Sequence, residues 1–277
     1  NGSVYNRITS NSQISIVAST TITGGYYSVI SGKYLYSSGD GFTIVDISNP
    51  LAPRLMSTTS IDEISDIKIA GKYAYVAEGS SDQFAIIDIS DPKRAYVTAT
   101  TSMPNDVRGL SIYGHYAFMG AETAGIYVMD ISDPYNPFMV ADASYGSGGY
   151  MYDLNISGQY LYGIETNSNK LHVFDISNPL SPVYVTSTST GGTWPFCSQI
   201  SGSYDFVTNA VTGDFSVIDI SDPLNPTLVT TSSAGMALPM RLDIAGNYMY
   251  ITAYPIGAGM LSIVDISNPS APFIVAT

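Results

Sequence analysis

Phe84-Ala-Ile-Ile-Asp88-Ile-Ser-Asp-Pro92 is the stretch whose reading decides the fold. Its first residues are apolar on both alternating faces, as in a strand covered on both sides, and Ser-Asp-Pro then stops the strand in a turn. The same run returns as Phe42-Thr-Ile-Val-Asp46, Ile126-Tyr-Val-Met-Asp130, Leu171-His-Val-Phe-Asp175, Phe215-Ser-Val-Ile-Asp219 and Leu261-Ser-Ile-Val-Asp265. Consecutive copies of its Asp stand 42 to 46 residues apart. A second signature, Gly-x-Tyr-x-[Tyr/Phe], precedes each copy, from Gly32-Tyr34-Tyr36 to Gly246-Tyr248-Tyr250.

Each repeat reads as four strands. Asp66–Ala70 alternates apolar and polar residues at the two-residue period of a half-buried strand. A tight turn holds the Gly, the Tyr-x-Tyr strand follows, then Phe84–Ile89, then an outer strand such as Ala95–Thr100. No helical period persists for three turns. Four strands in roughly 44 residues is the size of a propeller blade, whereas solenoid coils run to about 20–30 residues. The expectation is an all-β, six-bladed propeller of four-stranded antiparallel blades, one domain over 14–277 behind a tail at 1–13.

Composition narrows the function. Ten Lys+Arg against 23 Asp+Glu give a net charge of -13, which excludes a basic face for nucleic acid. Charged residues are only 12% of the chain, and Ser and Thr together number 60, so its polarity is carried by hydroxyls. One cysteine, Cys197, allows no internal disulfide, and no apolar run is long enough to insert in a membrane. The low Lys and high hydroxyl content point to an extracellular or cell-surface setting. A chain opening on Asn1 rather than Met is expected to be a processed or ordered part of something longer.

The six third strands, Phe42–Asp46 to Leu261–Asp265, resemble the LVIVD repeat of bacterial and archaeal surface propellers over almost the whole chain. The resemblance implies a propeller in an exported or cell-envelope setting. Because that motif is structural, it carries over no catalytic residue.

What recurs reads as scaffold. An Asp before Ile-Ser-[Asn/Asp]-Pro can accept backbone N–H bonds in the turn, one job done once per blade. The repeated aromatics read as wedges between blades. Function is sought instead where the repeat varies, in the blade connectors and in the loops between second and third strands. Trp194 and Phe196 lie in one connector and Tyr150 and Tyr152 in another, so they could form an aromatic platform for a sugar. Glu63, Glu122 and Glu165 could bond its hydroxyls there. His115 and His172 fall in unrelated positions, and no nucleophile, nucleotide, zinc or calcium motif is visible. No cofactor, metal or catalytic residue is therefore expected. Of two glycosylation sequons, Asn155 falls in an innermost strand and is set aside, leaving Asn1.

One strand is surplus. Six outer strands follow the six Pro/Arg turns, and a seventh copy, Ile14-Ser-Ile-Val-Ala-Ser-Thr20, resembles Phe273-Ile-Val-Ala-Thr277. Residues Ile14, Ile16 and Val17, or Phe273, Ile274 and Val275, must lose the last outer position. The loser adds to its own ring, pairs with another copy, or frays or awaits a different partner chain. The reading is thus a non-enzymatic extracellular structural protein assembling with copies of itself into a filament or surface layer. A cell-surface adhesin or glycan-binding module is the alternative, and a polysaccharide hydrolase or lyase the third.

Overall fold

The computed structural model describes residues 18–19, 27–39, 41–122, 125–146, 149–254 and 260–277. Among them are 24 strands and no helix. Blade 1 holds β1 (Ser28–Ser31), β2 (Tyr34–Ser37), β3 (Phe42–Asp46) and β4 (Arg54–Thr59). Blade 2 holds β5 (Ile64–Ala70), β6 (Tyr73–Glu78), β7 (Gln83–Asp88) and β8 (Tyr96–Ser102). Blade 3 runs through β9 (Val107–Tyr113), β10 (Tyr116–Ala121), β11 (Gly125–Asp130) and β12 (Phe138–Ala143). Blade 4 runs through β13 (Met151–Ser157), β14 (Tyr160–Glu165), β15 (Lys170–Asp175) and β16 (Val183–Ser189). Blade 5 comprises β17 (Pro195–Ser201), β18 (Tyr204–Asn209), β19 (Asp214–Asp219) and β20 (Thr227–Ser233). Blade 6 comprises β21 (Pro239–Ala245), β22 (Tyr248–Ala253), β23 (Leu261–Asp265) and β24 (Phe273–Ala276). Every sheet keeps chain order, antiparallel throughout, so each blade is built from consecutive strands.

The punctuation behaves as its chemistry requires. Gly32, Gly71, Gly114, Gly158, Gly202 and Gly246 all have φ of +60 at the first centre of a two-residue hairpin, where a Cβ is disfavoured. After each third strand the Asp accepts the backbone N–H two residues on. Asp46 takes Ser48 and Asp88 takes Ser90, both at 2.8 Å, and Asp265 takes Ser267 at 2.9 Å. The hydroxyl of the same Ser, together with that backbone bond, holds the Asp46, Asp88 and Asp265 carboxyls below the usual range. The second acid or Asn closes the same turn, as in Asp91 with Lys93 and Asn49 with Leu51.

The core lies between blades. Tyr36, Tyr75, Phe118, Tyr162 and Phe206 each lean on the following blade and are at most 5% exposed. Five apolar clusters result, joining blades 1–2, 2–3, 3–4, 4–5 and 5–6. Hydroxyls on outer strands add latches: Ser57 donates to the Pro92 carbonyl at 2.7 Å and Thr98 to that of Pro134 at 2.8 Å. The sixth interface differs. Among the described residues no apolar cluster joins blade 6 to blade 1, and Tyr250, Leu261 and Ile263, which occupy the wedge positions there, stay half-buried.

β24 holds the last outer position, paired as Ile263 with Ala276, Val264 with Ile274 and Asp265 with Phe273. Phe273, Ile274 and Val275 are exposed along it. The rival segment Ile14, Ile16 and Val17, like Asn1, lies outside the described residues.

Candidate binding site at the central channel

The inner strands β5, β9, β13, β17 and β21 each carry a bulge near their start, where two residues oppose one on the second strand. A bulge re-aims side chains, here at one mouth of the channel. Tyr152 and Phe196 sit at these bulges, and Arg108 enters with the bulge of blade 3. They belong to inner strands, a correction to their expected place in connectors, because the apolar residues Met151 and Pro195 extend those strands by one turn of pleat.

Two cations and a row of rings then line the mouth. Arg108 pairs with Asp106 at 2.6 Å and faces Tyr150 and Tyr152, with ring centroids at 5.3 and 5.6 Å. Tyr150 and Tyr152 are 5.8 Å apart, and Tyr152 meets Phe196 at 4.9 Å. Arg241 lies 4.9 Å from the Phe196 ring and 3.7 Å from that of Tyr27, which spans the junction of blades 6 and 1. A hydrogen bond with Glu122 raises the Tyr150 phenol above its ordinary value. Of the candidates drawn from the sequence, the structure thus brings Tyr150, Tyr152, Phe196 and Glu122 together.

Three other candidates stand apart. Trp194 is 47% exposed, held at φ +60 with its N–H on Asn169 Oδ1 at 2.7 Å, and meets none of these rings. Glu63 is exposed beyond the blade 2 strand, with φ +50. Glu165 is corrected: it is 1% exposed and accepts the Asn167 and Ser168 amides and the Ser168 hydroxyl. Burial pushes its carboxyl up, but the His172 ring 3.7 Å away and the bonds from Ser168 and Asn167 outweigh that and hold it low. It braces the β14–β15 turn and is not available to a ligand.

Deeper in, a cavity of about 580 Å³ is lined by Tyr27, Asp66, Lys68, Asp153, Gln199 and Arg241, among others. It reaches Leu35 of blade 1 and Tyr250 of blade 6, so it extends to the junction of those two blades. Two of its acids bind blades together. Asp66 accepts Ile67 N–H at 2.7 Å and Leu110 N–H of the next blade at 2.9 Å, and it pairs with Lys68 at 3.1 Å. Asp153 likewise takes Leu154 at 2.9 Å and Ser198 of the next blade at 3.0 Å. Burial lifts the Asp66 carboxyl above the usual range despite Lys68. Among the described residues no group of three or more metal-ligating side chains gathers.

What sequence reasoning missed is the ring at the fifth residue before each turn glycine: Tyr27, Asp66, Asp153 and Arg241. The signal was available, since three of the six aligned inner strands hold a charge at a position that is Tyr, Gly or Cys in the others.

A model of the LVIVD repeat matches residues 28–60, 63–95, 104–143, 148–190, 199–232 and 234–277. A search of curated proteins found no match. Among solved structures, the chain is similar to a protein of Bacteroides uniformis provisionally named a 6-phosphogluconolactonase. The two share 12% identity, with a TM-score of 0.82 over 93% of this chain and 85% of that one. It is also similar to the periplasmic gluconolactonase PpgL of Pseudomonas aeruginosa, at 15% identity and TM-score 0.69 over 80% of this chain and 73% of that one. A third is the β-propeller domain of Cps50 (Swd1) from Myceliophthora thermophila, at 14% identity and TM-score 0.70 over 94% and 87%. At these identities the likeness is one of fold.

Proposed function

The chain belongs to the LVIVD-repeat family, and on that premise we propose that it is a structural subunit of an extracellular or cell-surface assembly, joined by β-segment pairing between copies. One observation carries the reading: among the described residues five inter-blade interfaces have apolar cores and the sixth has none. Tyr250, Leu261 and Ile263 on that face occupy positions that are fully buried in the other blades, and Ile30 beside them is 62% exposed. Apolar surface of this kind seeks cover, and the sequence holds one β-type segment that no described blade uses, Ile14–Thr20. The outer edges support the same reading. β8, β16, β20 and β24 carry no charged residue, although edge strands of proteins that stay apart are commonly guarded by charge or Pro. A head-to-tail contact whose operator does not close extends into a filament or layer.

Light scattering and negative-stain microscopy of the full chain, beside a form lacking residues 1–20, test this. Concentration-dependent polymers from the first and monomers from the second are expected. A full chain that stays monomeric at high concentration overturns the proposal. A truncated form that is merely less stable, at unchanged size, assigns the segment to its own ring.

A second reading, recognition of a sugar at the channel, is favoured by the meeting of Tyr152 and Phe196 beside Arg241. The lactonase names of the distant structural relatives would make the chain an enzyme, a reading that the fold alone does not carry to these residues.

A further inference from the structure

We propose that the channel cavity takes a sugar bearing a carboxylate, a uronic acid residue, with Arg241 as the group that receives its charge. The inference rests on the sugar-recognition reading and adds the acid.

Arg241 carries it. Its guanidinium lies between the faces of Tyr27 and Phe196, and its Nη2 is buried without a hydrogen-bond partner. Among the described residues no carboxylate stands within ion-pair distance of it. A guanidinium taken out of water without an anion is costly, and two aromatic faces offset only part of that cost. The nearby acids are already engaged. Asp66 is held by two amides and Lys68, and Asp153 by two amides, as the fastenings between blades. The missing partner is an anion from outside.

The remaining lining says what else the ligand carries. Gln199 Oε1 is buried and lacks a donor, and Asp243 reaches the same cavity exposed. Both call for hydroxyl donors on the ligand. Tyr27 and Tyr250 supply aromatic surface on the cavity wall for a sugar. The volume of about 580 Å³ falls within the range of small-molecule sites, about 300–1,000 Å³. Charge decides between anions. A doubly charged phosphate would meet Asp66, Asp153 and Asp243 with, among the described residues, a single free cation to hold it, whereas a carboxylate brings the one charge that Arg241 lacks.

Calorimetric titration of the full chain with sodium glucuronate, glucose and sodium acetate at low salt tests this. Saturable binding of glucuronate is expected, with glucose and acetate each at least about tenfold weaker. Arg241→Met should bring glucuronate down to the level of glucose, and Arg241→Lys should recover part of the loss. Because Arg241 also bridges blades 6 and 1, a melting curve checks that the variant folds. Gln199→Leu, away from that bridge, should weaken glucuronate and glucose alike, by several-fold. Equal binding of glucose and glucuronate overturns the acid while leaving the sugar reading intact. No saturable heat from either sugar overturns both. Acetate binding as tightly as glucuronate, or a folded Arg241→Met with unchanged affinity, also overturns the proposal.

Discussion

Asp205 should make the protein less stable as pH rises, and Asp205→Asn should remove that loss. The residue sits in β18 where the other blades carry Leu35, Ala74, Ala117, Leu161 and Met249, and it is 0% exposed. Ser198 and the Phe206 amide lie nearby, but neither reaches hydrogen-bond geometry with either carboxyl oxygen, so burial prevails and lifts the group well above the usual carboxylate range. Below the ordinary carboxyl range the group is protonated folded or unfolded and contributes no pH dependence. Above it the unfolded chain gives up its proton while the native group keeps it. Stability then falls by up to about 1.4 kcal/mol per pH unit until the raised native value is reached. Asn has no proton to lose, so Asp205→Asn is expected to recover that loss, up to about 1.4 kcal/mol for each pH unit above the ordinary carboxyl range, and to gain close to nothing at pH 3. For a chain of this size each kcal/mol is worth about 2–4 °C in Tm. Thermal melts of both proteins from pH 3 to pH 8 measure it. A difference in Tm that does not grow with pH, or a variant less stable at pH 7, would refute the argument.

The turn acids should act in the opposite sense. Asp46, Asp88, Asp130 and Asp265 are held below the usual range by their turn bonds, so their contribution is present above the unfolded value and disappears as pH falls through the native one. Asp88→Ala should cost about 1 kcal/mol in urea unfolding at pH 7 and less at pH 3. Gly109→Ala should cost about 1–3 kcal/mol, because a Cβ there would stand 2.8 Å from the Asp153 Cα, backbone that must move. Tyr162→Ala should cost about 3–5 kcal/mol and Tyr250→Ala clearly less in the isolated subunit, since only the first is fully buried. The Cys197 thiol, buried and pushed up to about 12, should ignore a thiol reagent in the native protein and react once it is unfolded.

The blades were legible because each repeat states its own strands and stops. Phe84–Asp88 carries its burial in its composition, Gly71 its hairpin in the lack of a Cβ, and Asp88 its turn in the reach of one carboxylate to the Ser90 amide. These are interactions between residues close in the chain, and the spacing of their copies counts the blades. The platform was legible in part: Tyr150, Tyr152 and Phe196 stood out because they break the repeat. Glu165 broke it too, yet turned inward, since two neighbouring amides and a hydroxyl compete for its carboxylate, and no spacing records that competition.

Sequence by itself determined six four-stranded units and the residues that join each strand to the next. Only the tertiary structure decided that Arg241 of the last blade comes to rest against Tyr27 of the first, and that the wedge of Tyr250, Leu261 and Ile263 is left half covered. The physical reason is closure. Five of the interfaces repeat one local rule between consecutive blades. The sixth brings together residues more than 200 positions apart, and nothing in a repeating unit specifies how a ring meets itself.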